Sequence, residues 1–213
     1  MAASQTQPPD TSMPALASQI CNHIASVFSM PTAHPPALDV LVSELSAAAS
    51  RGGRVFLYGV GREGLMMKAL CMRLAHLGLQ AHSVFDVTTP PIAGGDLLLA
   101  SAGPGGFSTV DAICSVARSH GGRVVLLTAQ PETGTCARHA SAVAHVPAQT
   151  MADDAAAEGG GGGAAGEGPR PLLPMGSVFE GAMFVLFEMV VYRLGEVLGE
   201  SPEAVRSRHT NLE

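Results

Sequence analysis

The sequence predicts an α/β protein built on a doubly wound parallel sheet. Five short apolar runs, residues 54–58, 82–85, 96–100, 123–128 and 142–146, show no alternation of polar and apolar positions. Continuous apolar strands are what a parallel sheet covered on both faces requires. Stretches of helical length and spacing intervene at 62–77, 108–119 and 133–140, and strands alternating with helices define the class. At 213 residues and 46% hydrophobic, the chain is long and apolar enough for one substantial core.

Residues 1–13 are polar and carry prolines, and are expected to form a disordered tail ahead of a single domain over 14–213. Leu16, Ile20, Ile24, Val27 and Phe28 then fall at helical spacing. A second helix is expected over 36–49, with Leu38, Leu41, Val42 and Leu45 on one face and Gly52-Gly53 as its stop. After the strand and helix alternation, residues 152–171 form a Gly/Ala-rich segment that buries nothing, hence a flexible insert. A long apolar helix follows over 178–198, and Ser201-Pro202 opens a short C-terminal helix.

Composition narrows the function. The longest apolar run, 181–192, is interrupted by Glu188 and falls short of the ~20 residues of a membrane span, so no membrane partner is expected. Twelve basic against eighteen acidic residues leave a net charge of −6, with no footprint for nucleic acid. Cys21, Cys71, Cys114 and Cys136 show neither C-x-x-C nor Cys/His ligand spacing, so reduced thiols are expected and no metal site. The first residues have no basic or apolar targeting pattern, which makes a cytoplasmic location the expectation. The 25 glycines and 15 prolines make up about 19% of the chain, below the roughly 25–30% of low-complexity sequences.

The first strand runs into GVGREG and then a helix, so Gly59, Gly61 and Gly64 fit the G-x-G-x-x-G dinucleotide fingerprint, with Asp86 as a candidate ribose-binding acid. Against that reading, the stretch between the second and third strands is too short and proline-broken for a crossover helix. A second reading has the glycines only permitting a tight strand-to-helix turn. A third comes from a family. GVGREGLMMKALCMRLAHLG, Thr89-Pro90, LPMGSVFE and RHTNLE resemble, in order, the GxGRSG…KAFAMRLxHLG, TP, APLGTxFE and RHAxLE stretches of SIS (sugar isomerase) domains, above all of 6-phospho-3-hexuloisomerases. That resemblance spans about 15–213 apart from the insert. It implies a five-stranded parallel sheet flanked by helices, a homo-oligomer (dimer or tetramer) with active sites between subunits, a sugar phosphate as small-molecule partner, and isomerisation without metal or nucleotide cofactor. A non-catalytic SIS module that binds a sugar phosphate and regulates a partner is the competing class.

Isomerising a ketose phosphate through an enediol needs a base that moves a proton between neighbouring carbons. The resemblance places the family's glutamate on Glu180, where desolvation at the start of an apolar helix would raise its pKa. Ser177 and Glu180 also make an S-x-x-E capping box, which would give that carboxylate a purely structural task. Glu188, amid apolar neighbours, is read as a structural partner before a catalytic acid. His209, in RHTNLE, is either a surface residue or, as the resemblance implies, a group delivered to a neighbouring subunit's site. Substrate contacts are expected from Gly59, Gly61, Arg62, Glu63, Thr89, Ser101, Gly105, Gly106, Ser108 and Thr109, through helix-end amides, hydroxyls and a guanidinium. The family pattern is broken twice: Glu63 stands for a serine, and SAGPGGFST replaces an SGSGET-like loop, keeping Ser101 but not the second serine. A Glu63 carboxylate in the first helical turn would compete with a substrate phosphate for the same positive helix end. Lys68, the only lysine, lies mid-helix, where packing or ion pairing is the safer role.

Overall fold

The computed structural model describes residues 11–153 and 171–212. The bulk of the Gly/Ala-rich insert and the N-terminal tail lie outside the described residues. Twelve elements follow in chain order: α1 (Met13–Val27), α2 (Ala37–Ser50), β1 (Val55–Tyr58), α3 (Gly61–His76), β2 (Ala81–Ser83), β3 (Leu97–Ser101), α4 (Ser108–Ser119), β4 (Arg123–Thr128), a 3-10 turn (Thr135–His139), β5 (Ala142–His145), α5 (Ser177–Leu198) and α6 (Pro202–Ser207). The strands form one sheet in the order β2-β1-β3-β4-β5. Every pairing is parallel, with Leu57 opposite Leu99 and Leu99 opposite Val125.

Strand side chains alternate across the sheet, and both faces are covered. On one face Leu57, Leu99 and Leu127 pack under α2, α3 and α5 through Leu41, Leu45, Met67, Leu74 and Leu186. On the other, Phe56, Leu98 and Leu126 pack under α4 through Val110 and Cys114. Double coverage explains why the strands read as uninterrupted apolar runs. It also fixes the functional end of the sheet. The chain leaves β1 for α3 on one face and leaves β3 for α4 on the other, so a crevice opens where these neighbouring strands diverge, at their C-terminal ends.

Three expectations need correction. The segment 133–140 forms only the short 3-10 turn, because Cys136 is its one buried residue and no apolar stripe holds a longer helix. The second strand is shorter than expected: β2 is an edge strand, and Phe85 is exposed beyond it. Asp96 precedes β3 rather than beginning it. Its buried carboxylate receives the backbone amides of Arg54 and Ala93 at 2.8 and 2.9 Å and the Arg54 guanidinium at 2.7 Å. Burial works against the charge of Asp96, but these bonds outweigh it and hold the carboxyl below its ordinary range. Among the described residues no helix is long and apolar enough to cross a membrane.

Candidate active site

The β1–α3 turn is built by close backbone approach. A Cβ on Gly64 would stand 2.6 Å from the Gly59 carbonyl oxygen, and Gly61 has φ +57°, so these positions need glycine for geometry alone. Asp86 accepts from the Thr88 amide and hydroxyl, at 3.3 and 3.0 Å, in a local turn. Residues 84–96 join β2 to β3 with no helix. The dinucleotide reading therefore loses both its acid and its crossover, and the close approach of Gly59 and Gly64 serves the packing of the turn.

Beside this turn lies a cleft of about 460 Å³, lined by Arg62, Glu63, Phe107, Met151, Pro174, Met175, Ser177 and Glu180 among others. That volume suits a small ligand. It brings the start of α3 and the start of α5 together. Arg62 makes the join: its Nη1 donates to Ser177 Oγ at 3.0 Å, its Nη2 donates to the Met175 carbonyl, and Nη2 stands 3.1 Å from Glu180 Oε2. The expected capping box does not form. Gly176, at φ +78°, takes the N-cap position with no side-chain cap, and the Ser177 hydroxyl donates back to the Pro174 carbonyl at 2.7 Å. Met175 just before it is the one described non-glycine residue with positive φ, +56°, a conformation that costs energy outside glycine.

Freed from capping, Glu180 presents its carboxylate to the cleft. Its Oε2 is buried and has no aligned hydrogen-bond donor, although the Arg62 charge is close. Burial pushes its pKa up, the Arg62 guanidinium pulls it down, and the Glu63 carboxylate pushes it up again, for a net rise above the usual carboxylate range. A half-buried carboxylate with an unengaged lone pair is suited to taking a proton from carbon.

Glu63 does not face outward from the first turn of α3. It is 6% exposed, and its Oε2 accepts from the Ser101 hydroxyl at 2.5 Å and the Gly103 amide at 3.0 Å. Burial raises its pKa, with the Ser101 and Gly103 bonds opposing. The two departures from the family pattern belong together: a Cβ on Gly103 would sit 3.1 Å from Glu63 Oε1 and 2.8 Å from the Phe179 ring. The glutamate fills the space beside the loop where a side chain at 103 would go.

Other expected contacts are less available than the sequence suggested. Ser101 is fully buried and engaged by Glu63. Gly105 is buried, and its amide donates to the Ala102 carbonyl at 2.9 Å. Gly106 packs tightly against Thr135. Thr89 donates to the Ser83 carbonyl at 2.5 Å, beyond the β2 edge. Ser108 and Thr109 lie exposed in the first turn of α4, which has no side-chain cap. Lys68 lines a smaller depression, about 190 Å³, on the β2 side of the glycine turn. Glu188 is paired with Arg73 at 2.9 Å, on a part-exposed face.

His209 stacks on His76 with ring centroids 5.2 Å apart. His76 ends α3 whereas Arg62 lies in its first turn, and at ~1.5 Å per residue that is ~21 Å along the helix. Within one chain His209 and Glu180 are not brought together. Sequence reasoning also missed Met175 and the Arg62–Ser177 bond; the quoted LPMGSVFE stretch was the only signal for either.

No model of a known protein family matches the chain. Its relatives are informative. It is 34% identical over 172 residues to the 3-hexulose-6-phosphate isomerase of Mycobacterium gastri, covering 81% of this chain and 80% of that one. It is 32% identical over 160 residues to the 3-hexulose-6-phosphate isomerase of Bacillus subtilis, covering 75% and 80%. Among solved structures, a hypothetical protein from Methanococcus jannaschii, with an inferred function of 3-hexulose-6-phosphate isomerase, superimposes with a TM-score of 0.72 at 23% identity, covering 92% of this chain and 98% of that one.

Proposed function

The chain belongs to the 3-hexulose-6-phosphate isomerase family of sugar isomerase (SIS) folds, and from that premise we propose that Glu180 is the base of a ketose phosphate isomerisation in the cleft between α3 and α5. Several of its relatives are 3-hexulose-6-phosphate isomerases by name, and the chain is an isomerase of sugar phosphates. In the proposed step Glu180 removes the proton from C2 of a 3-hexulose 6-phosphate and the electron pair closes the C2–C3 double bond of an enediol. Glu180 then returns a proton to C3, while a hydroxyl proton passes from O2 to O3 as the carbonyl forms at C2. Oxidation at C2 balances reduction at C3, so no outside oxidant enters.

The observation that carries this reading is the buried Glu180 Oε2, which faces the cleft with the Arg62 guanidinium as ion-pair neighbour and no aligned hydrogen-bond donor. Arg62 fixes the carboxylate from α3 and ties it to Met175 and Ser177. In this reading the phosphate sits at the first turn of α4, at Ser108 and Thr109, which has no side-chain cap and where the helix end favours an anion, the Asp111 carboxylate of that turn being engaged by Thr135 and Arg138.

The reading includes a homo-oligomer, a dimer or tetramer. Phe184 at 58%, Val185 at 37% and Tyr192 at 69% exposure leave one side of α5 largely apolar and uncovered, a surface that a second copy would bury. Such a copy is also the route by which His209 would reach a site.

Glu180→Gln tests the base. The amide keeps the shape of the side chain but accepts no proton, so exchange of the substrate C–H proton with deuterated solvent, followed by NMR, should fall by at least ~100-fold. Exchange at the parent rate would remove Glu180 from the chemistry.

A further inference from the structure

Glu63 is a carboxyl group buried with only neutral donors. The Ser101 hydroxyl at 2.5 Å and the Gly103 amide at 3.0 and 3.2 Å hold it, while the neighbouring guanidinium of Arg62 is directed to α5. A buried acid without a cation is costly to keep. The SIS pattern that this sequence resembles has a serine there, so the fold has a cheaper solution. The carboxyl also sits where it matters electrically, in the wall of the same cleft as Glu180.

We propose that Glu63 is a positioning residue for the reaction: lodged against the end of β3, it fastens the β3–α4 loop and sets, through its charge, the pH at which Glu180 works as base. This rests on the assignment of Glu180 above. Two carboxyls that share a cleft and interact strongly titrate as a pair. Loss of the first proton makes loss of the second harder, and environments that push two acids apart separate their roles.

The groups around Glu180 bear this out. From α3 it meets Arg62 and Glu63. The loops 102–107 and 171–176 bring no charged side chain. In 149–153 the one charged residue, Asp153, accepts from the Thr150 amide and hydroxyl at 2.7 and 3.1 Å. From α1, which also packs on α5, His23 is exposed; from α2, Asp39 is exposed and Glu44 is paired with Arg123. Among the described residues Glu63 is therefore the acid that acts on Glu180, in line with the upward push it exerts there.

The sign follows. Glu180 works deprotonated, so turnover falls as pH drops through its pKa. Glu63→Gln keeps an oxygen for the Gly103 amide and removes the charge, and the acidic limb of kcat/KM should move to lower pH by about half a unit or more. A purely structural Glu63 would alter plateau height without moving the limb. A limb that stays put or moves upward overturns the proposal. Failure of the base assignment looks different: exchange then survives Glu180→Gln while the parent still turns over. Should Glu63→Gln fail to fold, the parent decides by itself. Carboxyl 13C NMR should show Glu180 titrating in two coupled steps, and a single simple step overturns the proposal.

Discussion

Replacing Arg62 by Gln should move the acidic limb of kcat/KM the other way. In the parent, Arg62 Nη2 stands 3.1 Å from Glu180 Oε2. At that separation two unit charges attract by ~1 kcal/mol in bulk water and ~5 kcal/mol at an effective dielectric of ~20. The Arg62 side chain is 52% exposed, so solvent screening brings the pair towards the lower limit, ~1–2 kcal/mol. One pKa unit corresponds to about 1.4 kcal/mol, and losing the guanidinium should raise the Glu180 pKa by about one unit. The assay is kcat/KM against pH at fixed ionic strength for parent and variant. The limb should rise by about one unit, and high salt in the parent should reproduce part of that rise. An unmoved limb would mean that the pair does not persist in solution and that Arg62 does not govern the base. Because the guanidinium is also held by Ser177 and Met175, KM should change less than the limb. A large rise in KM alone would place Arg62 on the substrate phosphate.

Asp96→Asn should cost ~2 kcal/mol of stability at neutral pH, since it weakens a charge-assisted network at the base of β3. The Asp96 carboxyl is held below its ordinary range, so its contribution is present above that range and lost as pH falls through the lowered value. Urea unfolding should show the gap between parent and variant closing in acid, and a pH-independent gap would contradict the assignment. Deleting 208–213 should lower turnover more than stability if His209 serves another subunit's site. Equal losses would leave the tail with a structural task, the Arg208–Glu200 bridge at 2.7 Å being the structure it would break.

The fold was legible because its sheet is buried on both faces. β1, β3 and β4 consist of residues such as Leu57, Leu98 and Leu126 with almost no exposed area, and a parallel sheet covered on both faces hides both sides of such unbroken apolar runs. At the sheet edge the signal weakens. Apolar Val84 and Phe85 read as strand, but β2 has one neighbour only and ends at Ser83. The site was legible as a set of residues and not as an arrangement. Arg62 reaches partners 113 and 115 positions away, a distance over which no local pattern speaks. The S-x-x-E at 177–180 was a true motif in the wrong register, because Gly176 in a left-handed conformation moved the cap back and left Glu180 to the cleft. That Glu63 turns in towards β3 could not be read from α3 alone, because the carboxylate lies where a Cβ at 103 would crowd it, at 3.1 Å.

That crowding is itself measurable. Gly103→Ser alone adds a Cβ that must stand 2.8 Å from the Phe179 ring and 3.1 Å from Glu63 Oε1, and crowding of this kind costs ~1–3 kcal/mol. Glu63→Ser alone leaves the Gly103 amide and the Ser101 hydroxyl without their acceptor in a buried site, a loss of ~1–3 kcal/mol. Together the two changes restore the serines of the family pattern at both places. The shorter residue at 63 removes one of the two clashes, and the new hydroxyl at 103 offers a partner to Ser101. The double variant should therefore be more stable than the sum of the singles predicts, with a coupling of ~1 kcal/mol or more in urea unfolding. Strict additivity would show that Glu63 and Gly103 changed independently and that the glutamate does not occupy the place of a missing side chain. A coupling of the expected sign ties the buried acid to the loop beside it. The pH profile of the active double variant should then match that of Glu63→Gln, because both remove the same charge from the wall of the cleft.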